Sequence, residues 1–386
     1  MTERMITISG IPTDISEPAF VLSRPHRTVT AGRAGQVFRS AHDAVAALRS
    51  GKVTHIVGAL PFAVGAPAAL WAPTSFTATD GSHRPSEDGT PPALEFDAAL
   101  PAPEVHRQRV AAAVRLLGDP AHPVRKVVLA RVIRARTACP VRAGELLDRL
   151  VSTDPMGNGY LVDLSAAGAP YQGRHLVGSS PEVLIRREDT GVFSYPLAGS
   201  ARRVPDDDRA DRQAADALRV SAKDQHEHRY VVDHVSDVLR DRCAEVRTPA
   251  TPELTGTPEM WHLGTPLTAT VPADGPSALE LAVALHPTPA VCGTPTAEAA
   301  RLIAEIEGHR GFYAGAIGWC DADGNGEWMV GIRCAELSSD GMSLLAHAGG
   351  GIVADSDPAA ELAETTGKFQ RILRPLGISE SSVTVA

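Results

Sequence analysis

GFYAGAIGWCDADGNGEWMVGIRCAEL (311–337) sets two apolar, β-prone arms around the turn-forming string Asp321-Ala322-Asp323-Gly324-Asn325-Gly326. The pattern predicts a β-hairpin, since Gly, Asn and Asp accept the tight backbone angles that such turns demand. Reading outward, SLLAHAGGGIV (343–353) is a further strand, and Pro358–Leu373 has 3.6-residue periodicity with proline at its start, which predicts a closing helix. Upstream, KVVLARVIRART (Lys126–Thr137) is β-branched, whereas Pro103–Leu117 and AGELLDRLVS (143–152) are helical in period. GYLVDLS (159–165), HLVGSSPEVLIRRE (175–188) and VFSYPLAGSARR (192–203) contain more strands, and 211–242 reads as one long helix. Strands and helices mixed without regular βαβ alternation predict an α+β fold with antiparallel sheets. The stretch TSFTATDGSHRPSEDGTPP (74–92) is dense in turn formers and reads as a surface loop inside a single domain. Residues 1–100 are then a variable N-terminal part of the domain and 101–386 its catalytic region.

A chain of 386 residues, 43% hydrophobic and 22% charged, can bury a large core without disulfides. Its five cysteines (Cys139, Cys243, Cys292, Cys320, Cys334) form no CxxC pair, as expected of reduced thiols in a cytoplasmic protein. The opening MTERMITISG has no apolar signal-peptide segment, and no run of about 18 apolar residues could span a membrane. A net charge of −9 argues against a nucleic-acid partner.

Chemistry is suggested by two acidic helical patches. SAKDQHEH sets Asp224 and Glu227 three apart; ELAETTGK sets Glu361 and Glu364 three apart, with Lys368 four further on. These spacings put each set on one helix face. Brought together they would suit Mg²⁺, a hard ion that takes one or two carboxylates and keeps room for water and substrate oxygens. Taken alone, they read better as solvated charged faces, since Glu and Lys at such spacings decorate most surface helices. His226-Glu227-His228 lacks HExxH spacing, because position 230 is Tyr230. The DADGNG string lacks the EF-hand's closing glutamate, since Ile332 stands there. Gly349-Gly350-Gly351 matches no nucleotide loop; it offers either bare amides for a carboxylate or a tight bend.

Together, KVVLAR (126–131), GSSPEVLIR (178–186), PLAGSARR (196–203), SAKDQHEH (221–228), WHLGTPL (261–267), HPTPAVCG (286–293), GFYAGAIGWCDADGNGEW (311–328), IRCAEL (332–337), AGGGIV (348–353) and ELAETTGK (361–368) resemble the chorismate-utilising enzymes. That family includes isochorismate, salicylate and anthranilate synthases. The resemblance implies one α+β domain of two facing antiparallel sheets flanked by helices, with a cleft between them. It also implies roles. Lys126 is the base that activates water for attack at ring carbon 2 of chorismate, and Glu182 is the acid that protonates the departing 4-hydroxyl. Glu227 and Glu364 are Mg²⁺ ligands, supported by Asp224 and Glu361. Arg333 and Tyr313 hold the enolpyruvyl carboxylate, Gly349 and Lys368 make further carboxylate contacts, and Gly199, Ser200 and His262 line the pocket. Outside that resemblance, Lys126 reads as a strand-edge charge, Glu182 as a turn residue and Arg333 as an ion-pair partner.

Two positions narrow the choice within the family. Aminodeoxychorismate-forming members place a nucleophilic lysine where this chain has Ala198. Anthranilate and salicylate synthases carry threonine where it has Ala290. The expectation is therefore an Mg²⁺-dependent, monomeric isochorismate synthase, of the type that supplies 2,3-dihydroxybenzoate siderophores. The alternatives are a salicylate synthase, which goes on to expel pyruvate, a menaquinone-pathway isochorismate synthase, and a non-catalytic chorismate-binding protein.

Overall fold

The structure, a computed structural model, describes residues 17–86 and 94–379; the reading of the chain's start lies outside them. Two large antiparallel sheets carry the fold. In the larger, Lys126–Thr137 pairs with Ser343–Ile352 over ten residues, and the sheet continues through Cys334–Leu337, His175–Gly178, Gly159–Asp163 and Phe20–Ser23 to Arg27–Ala31 and Phe76–Asp80. In the second, the expected hairpin is present as Ala316–Asp321 and Gly326–Val330. It lies between Val183–Glu188 on one side and His55–Leu60 on the other. A short third sheet holds Leu197–Arg202, Met260–Gly264 and Glu253–Gly256.

Period-two alternation divides strands of the larger sheet between two cores. Phe20 and Leu22 enter the cluster shared by the two large sheets, where Phe20 meets Trp71 edge-on at 6.4 Å, while Val21 faces the opposite way. There it joins Leu146 of helix Ala143–Ser152 and Phe369 of helix Pro358–Leu373 in a second cluster. Helices Pro103–Leu117 and Pro358–Leu373 have the expected bounds.

Three expectations are corrected. Residues 211–242 form two helices, Asp208–Val220 and Ala222–Arg240. Ser221, in extended conformation, ends the first and caps the second by accepting from the Asp224 amide. No buried apolar residue falls between Leu218 and Val231, so apolar periodicity is silent at the break; the serine cap is the cue. The stretch 74–92 is not all loop, because Phe76–Asp80 pairs with Arg27–Ala31 as an edge strand; 87–92 lie outside the described residues. Finally, GEWMVGIRCAEL is not one arm. Gly326–Val330 belongs to the second sheet and Cys334–Leu337 to the first, and the chain crosses between them with Arg333 at φ 52.

Candidate active site

That crossing creates the site. Arg333, 4% exposed, projects where the sheets converge, and its unusual positive φ is held by the strands anchored on either side. Around it opens a cavity lined by Glu182, Gly199, Ser200, Glu227, His262, Ala290, Tyr313, Gly349, Glu364 and Lys368. Of the residues singled out from the sequence, Lys126, Asp224 and Glu361 do not line this cavity. They stand directly behind it.

Lys126 is fully buried, with Nζ 3.0 Å from Glu227 Oε1. The contact lacks hydrogen-bond geometry, and among the described residues the amine has no hydrogen-bond partner. Strand Ser343–Ile352 makes room for the pair. A Cβ on Gly351 would sit 2.1 Å from Glu227 Oε1 and 3.0 Å from Lys126 Cε. A Cβ on Gly349 would come 2.8 Å from Tyr313 Oη, and one on Gly350, on the opposite face, 3.2 Å from Glu361 Oε2. The triple glycine is therefore a close-approach strand rather than a tight bend.

The acidic patches are not solvated faces. Glu227 is 7% and Glu361 1% exposed, and each carboxylate faces a lysine. Lys368 Nζ donates to Glu364 at 2.5 Å and to the Gly349 carbonyl at 3.0 Å. Lys223 Nζ and Ser356 Oγ both donate to Glu361 Oε1, at 2.8 and 2.7 Å, which leaves Oε2 buried and unbonded. Burial and the adjacent Glu364 raise the Glu361 pKa. For Glu364 burial opposes ionisation, but Lys368, Lys223 and the Ser200 hydroxyl outweigh it and hold its pKa low. Burial also raises Asp224, against the Ser221 hydroxyl and Lys223. Among the described residues no three His, Cys, Asp or Glu side chains form a ready-made metal cage. The donor set is nonetheless all oxygen, compensated by Lys126, Lys223 and Lys368 and containing one orphaned carboxylate oxygen. That chemistry fits a hard cation that keeps water and substrate oxygens.

Glu182 is 3% exposed, and burial pushes its pKa up to about 7, against the Leu197 amide and the nearby Lys126, Lys368 and Arg333. A carboxyl so placed holds its proton near neutrality. His262 is neutral: burial, then the adjacent Arg333 and Lys368, carry its pKa well below the usual value. Its Nε2 accepts from Arg333 Nη2 at 3.2 Å, whereas Arg333 Nη1 is buried without a partner. Gly199, at φ 76, brings the backbone against Asp224. Ala198, 7% exposed, lines the wall with its carbonyl bonded to His228 Nδ1 at 3.1 Å. His228 is committed there and to Thr265, and His226 to Tyr230, which leaves no zinc pair.

Two features escaped the sequence reading. His347 lines the cavity and stacks on Tyr313 at 4.8 Å, its pKa lowered to about 4 by burial and then by Arg310. Its place in an alternating strand marked it only as a residue of one sheet face. The second is the Glu307–Arg310 ion pair. Lys126–Thr137 has strand partners at residues 126–127 and 132–137 along one edge, with a gap between. Side chains fill that gap. Glu307 Oε1 accepts from the Ala130 amide at 2.6 Å, and Arg310 donates to the carbonyls of Val128 at 2.7 Å and Val291 at 2.9 Å. The pair thus ties the strand of Lys126 to the loop of Ala290.

Comparison with known proteins agrees with this geometry. Residues 70–377 match the family model described as "Chorismate binding enzyme". A Mycobacterium tuberculosis protein named "Putative isochorismate synthase MenF" is 47% identical over 94% of this chain and 97% of its own length. The isochorismate synthase EntC of Escherichia coli is 39% identical over 84% of this chain and 81% of its own. A solved Bacillus anthracis structure, described as "putative 2,3-dihydroxybenzoate-specific isochorismate synthase, DhbC", superposes with a TM-score of 0.85 at 34% identity, covering 95% of this chain and 98% of that one. The chain belongs to the chorismate-binding enzyme family.

Proposed function

We propose that the chain is an isochorismate synthase that converts chorismate reversibly to isochorismate. The observation that carries this reading is the buried Glu182 carboxyl, with its pKa at about 7, in one cavity with Arg333, Lys368 and the Glu227–Glu364 pair. Relatives with isochorismate synthase in their names support it. Water adds at ring carbon 2, the ring double bonds shift, and the carbon 4–oxygen bond breaks. Lys126 accepts the proton of the attacking water and Glu182 gives its own to the leaving hydroxyl, so the atoms balance as an isomerisation. Arg333 and Tyr313 hold the enolpyruvyl carboxylate, and the vacant Arg333 Nη1 is a donor ready for it. Gly349 and Lys368 add carboxylate contacts, and Gly199, Ser200 and His262 shape the wall. Magnesium would be held by Glu227 and Glu364, with Asp224 and Glu361 behind them, and would supply positive charge against the ring carboxylate. Glu227 Oε1 stands 3.0 Å from the fully buried Lys126 amine and itself lines the cavity.

Ala198 offers no amine for a covalent intermediate, and Ala290 distinguishes the chain from the threonine-bearing salicylate synthases. Pathway names divide: the DhbC description supports supply of 2,3-dihydroxybenzoate and the MenF name supports menaquinone. We further propose that the enzyme works as a cytoplasmic monomer. No helix among the described residues is long and apolar enough to cross a membrane. Purified protein incubated with chorismate and Mg²⁺ should yield isochorismate by chromatography, and Lys126→Ala should stop its formation while circular dichroism stays native. Salicylate or anthranilate as the main product, or full turnover by Lys126→Ala, would reject this reading.

A further inference from the structure

We propose that a second cavity, adjoining the active one, binds a small organic anion with a multi-ring aromatic body. Its volume is about 830 Å³, within the roughly 300–1,000 Å³ usual for small-molecule sites. It opens between segment 61–67, which follows strand His55–Leu60, the turn at Pro170–Tyr171, and helix Thr296–Glu307. His286, Pro287, Arg310 and Gly311 also line it, and these adjoin Ala290 and Tyr313 of the active cavity a few residues along the chain. Arg310 connects the two spaces. It lines this cavity and donates to the carbonyls of Val128 and Val291, which line the active one.

Carbon dominates the lining, with Pro61, Pro67, Pro170 and Pro287 beside Phe62 and Leu285. The backbone carbonyls among them are already taken. That of Pro61 accepts from His286 Nε2 at 3.0 Å, that of Leu285 from His234 Nε2 at 3.3 Å, and that of Gly311 from the Phe62 amide at 2.9 Å. Such walls offer contact to flat, rigid rings rather than hydrogen bonds to a sugar or a nucleotide. Val64, on the same segment, is 79% exposed, and a bound ring would cover that apolar surface. The charge is one-sided, because no aspartate or glutamate of the described residues lines the cavity. Burial carries the His286 pKa to about 4 and lowers that of His234, so both are neutral, and Glu307 answers Arg310 at 2.8 Å. Arg301 and His309 remain, both exposed, and Arg301 meets its neighbour Glu298 only loosely, at 3.6 Å. A cationic rim on an acid-free apolar interior selects an amphipathic anion, rings inward and acid group toward Arg301. The site stands independently of the reaction proposed above.

The test is a fluorescence titration of the purified wild-type chain with anilinonaphthalene sulfonate, an aromatic anion of this class. Saturation at one probe per chain is expected. Near-ultraviolet circular dichroism should stay unchanged, which separates a native site from the exposed core of a partly folded state. Ala300→Trp, which fills the cavity from helix Thr296–Glu307, should abolish binding. Should that variant fail to fold, Ala304→Trp, at an exposed position of the same lining, takes its place. Arg301→Glu removes an attraction and adds a repulsion at an exposed position, and should weaken binding about three- to tenfold. Wild-type protein without saturable binding, or binding left unchanged by the tryptophan variants or by Arg301→Glu, overturns the proposal. Probe binding that appears only as a dimer dissociates on dilution assigns the groove to a second copy of the chain and overturns it equally.

Discussion

Replacing Gly351 by alanine tests the centre of the proposed chemistry with a single carbon. The backbone at Gly351 is not left-handed, so alanine adopts it without strain, and the effect comes from contact alone. The new Cβ would lie 2.1 Å from Glu227 Oε1, against an ordinary contact of at least 3.4 Å, so the carboxylate must withdraw by 1.3 Å, the difference between the two. A shift of about 1 Å in a reacting group costs about a hundredfold in rate, or about 2.7 kcal/mol of transition-state stabilisation. Gly351→Ala should therefore lower kcat/KM for isochorismate formation about a hundredfold and raise the Mg²⁺ concentration needed for half activation, since Glu227 is the displaced group. Gly350→Ala is the control. Its Cβ faces Glu361 at 3.2 Å on the other side of the strand, where a movement of a few tenths of an ångström suffices, and its loss should be far smaller. Chromatographic product assays across an Mg²⁺ titration, with circular dichroism to confirm folding, decide the matter. A Gly351→Ala enzyme within twofold of wild type would refute the idea that the buried Lys126–Glu227 pair sets the reaction geometry.

Glu182 predicts two pH effects. As the proton donor, with its pKa raised to about 7 by burial, it should support turnover below about pH 7 and limit it above, and Glu182→Gln should erase that limb while lowering kcat by ~10²–10⁴-fold. The folded chain keeps this proton after the unfolded chain, whose ordinary value is 4.5, has released it. Its contribution to stability is therefore greatest below about pH 4.5 and declines as pH rises through about 7, and denaturant titrations should find the decline flattened in Glu182→Gln. Arg310→Lys should weaken the tie between Val128 and Val291 and raise KM for chorismate about tenfold. Glu307→Gln, which can still accept from the Ala130 amide, should cost less, and combining the two changes should be non-additive by about 0.5–3 kcal/mol; additive losses would show that the pair does not act as one positioning unit.

Local chemistry made much of this protein legible before any coordinates. The turn string at 321–326, the proline-led helices and the β-branched run from Lys126 are set by interactions a few residues long, and these elements stand where their residues predict. Glu361, Glu364 and Lys368 share a helix face because 3.6-residue geometry requires it. Tertiary structure decided what such patterns cannot contain. It determined that two acidic helix faces turn inward onto lysines rather than out to water, because a charged face reads identically in either setting until its neighbours are known. It separated residues 326–337 between two sheets and so delivered Arg333 to the cleft, a choice made by strand partners far away in the chain. It also filled a gap in one sheet edge with Glu307 and Arg310, and left Arg131 buried without a counter-charge among the described residues. Burial and pairing between distant segments set those outcomes, and neither is encoded in the spacing of any one segment.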